Sequence, residues 1–139
     1  MTGILQPAAY VELHLPVLIE KLGAARLSIV PPALAGLIQR ALPHPDGIGE
    51  RWPGLFEHLA VHGAFIRGDP PPLLSRVLLS FRLPACGDVR AVGWTLWRRT
   101  ADAEIAADGG ALPAPRGFGV VFESLPEEAR HVIEAMLRG

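Results

Sequence analysis

The spacing of apolar positions changes along the chain, and each change marks an element. From Arg76 the pattern alternates: Val77, Leu79, Phe81 and Leu83 fall on one face, Arg76, Leu78, Ser80 and Arg82 on the other. A period of two predicts a half-buried strand. Residues 84–88 break the run, with Gly87-Asp88 at the centre of a turn. Residues 89–99 then run back, with Val89, Ala91, Gly93, Thr95 and Trp97 on one face and Trp94 and Leu96 on the other. Two alternating runs joined by a short glycine-containing turn predict a hairpin. Before it, Gly63 opens a short apolar run, Ala64-Phe65-Ile66, that Asp69 and Pro70-Pro71-Pro72 end. Residues 52–58 lead into that run as a strand or strand end.

The flanking segments are more varied. Residues 10–20 alternate at first, Val11, Leu13 and Leu15 opposing Tyr10, Glu12 and His14, and predict a strand. Pro16 removes one ladder donor, so this strand should lie at an edge or bend there. Residues 26–30 form a second short apolar run, ended by Pro31-Pro32. The period then becomes helical: Leu34, Leu37, Ile38, Ala41 and Leu42 share one face, Pro32 suits the first turn, and Pro43 and Pro45 stop it. This predicts a helical insertion over about residues 31–50. Residues 100–116, with six alanines and Gly109-Gly110, read as a long mobile loop. Phe118, Val120 and Phe122 predict a further strand. Ser124 and Glu127 fit a capping box before a final helix with Ala129, Val132, Ile133, Met136 and Leu137 on its apolar stripe. Residues 1–9 read as an N-terminal tail and 10–139 as one domain.

Composition narrows the classes. Half of the 139 residues are apolar and 19% are charged, which argues for a globular chain. Fourteen prolines and fifteen glycines call for many turns between short elements. A net charge of −1 gives no general attraction to nucleic acid or anionic membrane. The single cysteine, Cys86, excludes an internal disulfide. No basic segment precedes an apolar run at the N-terminus, and no apolar run reaches membrane-spanning length, so a cytoplasmic protein is expected.

Several of these stretches together resemble a PilZ domain. The resemblance rests on Gly63-Ala-Phe-Ile, the alternating strand ending Phe81-Arg-Leu-Pro84, Val89-Arg-Ala-Val-Gly93 followed by Trp97, and Gly117-Phe-Gly-Val-Val-Phe122 with the helix after it. It covers about residues 55–139 and implies a small six-stranded antiparallel β-barrel with a C-terminal helix. Members that bind cyclic di-GMP carry an RxxxR motif before the first strand and a [D/N]xSxxG motif, whose planar donors and acceptors grip phosphates and guanine edges. Residues 1–20 contain no arginine. The second motif maps onto residues 58–63, where only Gly63 matches: His58 replaces the acid or amide, and Ala60 has no hydroxyl. Losing charge-assisted hydrogen bonds worth roughly 1.5–3 kcal/mol each would cost several orders of magnitude in affinity. Gly63 is then explained by a positive φ or a close backbone approach at the turn.

Other chemistry finds little support. His58 and His62 are four apart but lie in a strand and turn with only Glu57 nearby, so no metal is expected. Cys86 sits in a turn without an adjacent base, the serines lack a nucleophile frame, and Asp108-Gly109-Gly110 is followed by no helix or lysine, so no phosphate cradle forms. Arg76, Arg82, Arg90, Arg98 and Arg99 either protect a sheet surface or offer an anion-binding face. Leu78, Trp94, Leu96 and Arg98 are the candidate partner-binding residues, and Trp52 and Phe56 are further candidates; core packing is the alternative for the apolar ones.

The chain is therefore expected to be mainly β, with a barrel, a C-terminal helix and an extra inserted helix. The resemblance implies a non-enzymatic, cofactor-free adaptor that binds a protein, such as a pilus ATPase or signalling protein, in type IV pilus or motility control. The alternative is a cyclic di-GMP receptor using His58, His62, Gly63, Arg98 and Arg99.

Overall fold

A computed structural model describes residues 10–24, 47–107 and 109–139. The strand expected over residues 26–30 and the helix expected over 32–42 lie outside the described residues. Of the expected insertion, Gly47 to Gly49 form a turn leading to Glu50 and the second strand. The elements are β1 (Val11–Ala24), β2 (Arg51–Leu59), β3 (Gly63–Arg67), β4 (Ser75–Leu83), β5 (Gly87–Arg99), β6 (Ala103–Ala107), β7 (Gly110–Ala114), β8 (Gly117–Ser124) and a helix, α1 (Glu127–Arg138).

Six strands close a barrel in the order β1-β2-β3-β8-β5-β4, and β4 pairs back onto β1. Every pairing is antiparallel. Closure gives every barrel strand a neighbour on both sides over at least part of its length. Strand alternation fills the interior: Val17 and Ile19, Phe56 and Leu59, Ile66, Val77, Leu79, Phe81 and Leu83, Val89 and Ala91, Phe118 and Val120 form one buried cluster. The Phe56 and Phe81 rings meet edge to face at 4.8 Å.

Two glycines let neighbouring strands approach closely. A side chain at Gly93 would meet the Val121 carbonyl oxygen at 2.9 Å, and one at Gly63 would run into the Val120 carbonyl oxygen. Gly63 is thus explained by backbone approach; its φ is not among the positive ones. Helix α1 closes the barrel end that carries the β2–β3 and β4–β5 turns. Ala129 and Ile133 are buried in the barrel's own cluster, and Val61 and Cys86 from those turns pack against it.

Three expectations are corrected. Residues 100–116 are no loop: β6 and β7 pair as a separate two-stranded sheet between β5 and β8. Their mostly small and apolar residues hid the strand period. The capping box does not form, because Ser124 belongs to β8, where it pairs with Val92, and Pro126 is the N-cap without a side-chain hydrogen bond. Glu127 instead accepts a 2.7 Å hydrogen bond from Arg130. Finally, of the edge or bend expected at Pro16, the edge is only local, because β1 pairs with β2 from Val11 and with β4 from Val17 onward. The ladder to β4 starts only at Val17, and a register shift lies between Glu12 and Leu15, so Pro16 sits where one side is still unpaired.

Because Ile133 is shared between helix and barrel, Ile133→Ala should lower unfolding free energy by about 2–5 kcal/mol. An exposed change on the same helix, Glu128→Ala, should move it by no more than about 0.5 kcal/mol. Urea unfolding followed by circular dichroism reads both; equal effects would show that the helix is not part of the core.

Candidate functional site

The candidate site lies on the outer wall of the barrel and begins with β8. Phe118 and Val120 point inward, so Gly117 and Gly119 occupy the outer side of the same strand. A Cβ at Gly119 would run into the Trp97 indole, and one at Gly117 would meet the Phe65 ring at 2.7 Å. Phe65 comes from β3 and Trp97 from β5, with β8 between them. The missing side chains let both rings lie across β8 and stack, with centroids 5.3 Å apart and planes 7° from parallel. Phe65 is left 7% exposed and Trp97 40%.

Trp97 reaches the outside through a bulge. Thr95 pairs with Val120 and Trp97 with Gly119, so Leu96 is an extra residue in β5. The extra residue reverses the alternation after it. Thr95 stays buried inside, while Trp97 and Arg99 move to the outer side, which corrects the expectation that Trp97 shares one face with Thr95. A second bulge lies in β2. Phe56 pairs with Ile66 and His58 with Phe65, leaving Glu57 extra. Glu57 and His58 therefore both lie between the fully buried Phe56 and Leu59.

The result is a row of stacking groups along the wall. The Tyr10 ring lies 4.2 Å from His58, and His58 lies 6.0 Å from Phe65. At the other end, the Arg99 guanidinium lies 5.4 Å from the Trp97 ring, a cation–π distance. Arg99 also donates a 2.8 Å hydrogen bond to the Pro115 carbonyl, which ties the wall to the base of the β6–β7 hairpin. Between wall and hairpin runs an open cleft of about 980 Å³. Its charged lining holds three carboxylates, Glu12, Glu57 and Asp102, and two guanidiniums, Arg67 and Arg99. Arg67 pairs with Glu57 at 3.1 Å, and Asp102 accepts the Arg116 backbone N–H at 2.8 Å. Ala103, Ile105 and Pro113 supply apolar lining from the hairpin.

Of the residues singled out in the sequence, only His58 and Arg99 line this cleft. His62 lies in the β2–β3 turn, where its carbonyl accepts the Phe122 N–H at 2.8 Å. Arg98 falls on the strand side opposite Trp97 and Arg99. The five arginines do not form one face. Arg76 pairs with Glu123 at 2.7 Å, and that hydrogen bond raises its pKa against the opposing effect of burial. Arg82 and Arg90 lie together on the outer side of β4 and β5, beside Ser80 and Asp88. Leu78 and Trp94 are half-buried on the outer side of β4 and β5, Leu96 is exposed at the bulge, and Trp52 donates its indole N–H to the Asp69 carbonyl at 2.9 Å. Phe56 belongs to the core.

Phe65, Trp97, Arg67, Glu57 and Asp102 were not anticipated as site residues. The usable signal was Gly117-x-Gly119: two glycines on one side of a strand announce that neighbouring side chains cross it. Among the described residues, no group of three His, Cys, Asp or Glu side chains is placed to hold a metal ion. Among them, too, no helix is long and apolar enough to cross a membrane. No protein-family model, curated protein or solved structure matches the chain.

Gly119→Ala should push Trp97 off Phe65. The expected readouts are a red-shifted tryptophan emission, a weaker near-ultraviolet circular dichroism signal and a loss of about 1–3 kcal/mol in stability. Unchanged spectra would mean that the stack does not depend on the missing side chain.

Proposed function

We propose that this chain is a PilZ-like adaptor: a non-enzymatic, cytoplasmic regulatory module that binds a protein partner, in type IV pilus or motility control or related signalling, without binding cyclic di-GMP directly. The six-stranded barrel with its C-terminal helix agrees with the fold that the resemblance implies.

The charge balance of the cleft carries the choice between partner and dinucleotide. A ring nucleotide brings two phosphates and needs fixed cationic forks. Here carboxylates outnumber guanidiniums in the lining. Both guanidiniums already have partners, Glu57 for Arg67 and the Pro115 carbonyl for Arg99. At the [D/N]xSxxG positions, His58 is held against Tyr10 and Ala60 offers no hydroxyl. Like charges a few ångströms from a phosphate would oppose binding. By contrast, a half-exposed Trp beside an Arg, rimmed by paired charges, has the make-up of a protein-binding hot spot.

Isothermal titration with cyclic di-GMP is expected to give no heat of binding; micromolar or tighter affinity would overturn this reading in favour of a receptor using His58 and Arg99. In pulldowns from the native host, Trp97→Ala and Arg99→Ala should release a partner that Trp94→Ala and Arg98→Ala retain. Retention by all four variants would remove the cleft as the binding surface.

A further inference from the structure

Every barrel strand is paired on both sides over part of its length, but the β6–β7 hairpin is flanked by no other strand among the described residues. It pairs only with itself among the described residues. A lone two-stranded hairpin is marginal in water. Its face carries Ile105 directly opposite Leu112, and these side chains are 53% and 58% exposed. Exposed apolar pairs on an isolated hairpin call for a cover.

The register shows which edge is open. Ala107 pairs with Gly110 across a two-residue loop, in which Gly109 has φ +86°. The pair closing such a loop exchanges both hydrogen bonds, and pairs then alternate. Ile105/Leu112 is therefore hydrogen-bonded, while Glu104/Pro113 and Ala106/Ala111 turn their backbone groups outward. Pro113 has no N–H to offer on the outer side of β7, which blunts that edge. On the outer side of β6, Glu104 and Ala106 both present N–H and C=O, with no lysine, proline or bulge to protect them.

We propose that the outer edge of β6 pairs antiparallel with the β6 of a second copy of this chain. Three two-fold registers compete. Centring on Glu104 sets two carboxylates directly opposite each other. Centring on Ala106 sets Ile105 opposite an alanine. Centring on Ile105 sets Glu104 opposite the partner copy's Ala106 and exchanges hydrogen bonds at both outward positions. It also lines up Leu112, Ile105 and their copies as one apolar stripe across a four-stranded sheet. The Ile105 register is thus self-complementary, as a two-fold contact must be. Five-residue strands bury little, so the dimer is weak and reversible, in the class of interfaces below about 1,200 Å².

Sedimentation equilibrium of the full chain from about 5 µM to about 1 mM tests this. A concentration-dependent shift from monomer to dimer is expected. Ala106→Pro removes an outward donor of β6 and should weaken the dimer at least about tenfold. Ala111→Pro places the same residue on the already blunted edge of β7 and should leave the dimer intact. Ile105→Lys, which keeps every backbone donor, should also abolish it by setting like charges together. Far-ultraviolet circular dichroism checks that each variant is folded. A chain monomeric at every concentration would overturn the proposal, as would a dimer that survives Ala106→Pro and Ile105→Lys in folded protein. Protection of the β6 amides from hydrogen exchange only when another protein is added would assign the edge to that protein instead, and would also overturn it.

Discussion

The structure depends on β8 being thick on one side and bare on the other. Its inner side gives Phe118 and Val120 to the core, which hold the strand in the barrel. Its outer side gives only backbone at Gly117 and Gly119. Two aromatic rings from strands that do not touch each other can therefore meet across it. With ordinary side chains at these positions, Phe65 and Trp97 could not occupy their present places. At Gly117 a side chain would also run into the backbone carbonyl of Ile66 in β3.

Bulges then decide what that wall displays. In an uninterrupted strand every second residue faces the core. One extra residue in β5 and one in β2 break this rule at about the same height on the barrel. The first sends Trp97 and Arg99 outward, and the second puts Glu57 and His58 side by side. Each bulge leaves the inward residues before it in place, so the core is not disturbed. The cleft is thus made from strand residues held by a rigid ladder, with the hairpin as its other wall.

Carboxylates outnumber guanidiniums in the lining of that cleft. Its cations are engaged, and its stacking row ends in a half-exposed indole. Among the described residues, the hairpin is the one sheet whose two outer strand sides have no neighbouring strand at all. The closed barrel and the open hairpin divide the tasks: one gives stability without stickiness, the other offers backbone donors and exposed apolar side chains.

Much of the fold was legible in the sequence, because a two-sided strand writes its burial into a period of two. Val77, Leu79, Phe81 and Leu83, with Phe118 and Val120, face inward as their alternation required, and Ala129 and Ile133 mark the buried stripe of α1. Gly63 was recognisable as a backbone requirement. The candidate site was far less legible. A bulge inserts a residue without a characteristic residue type, so Trp97 read as core, and only pairing with β8 shows the extra Leu96. The hairpin's small apolar residues carry no period, so only its register reveals two strands. Local spacing determined which residues share a strand face. Tertiary pairing decided where that face is reversed and which distant side chains, Phe65, Trp97 and Arg99 among them, stand together.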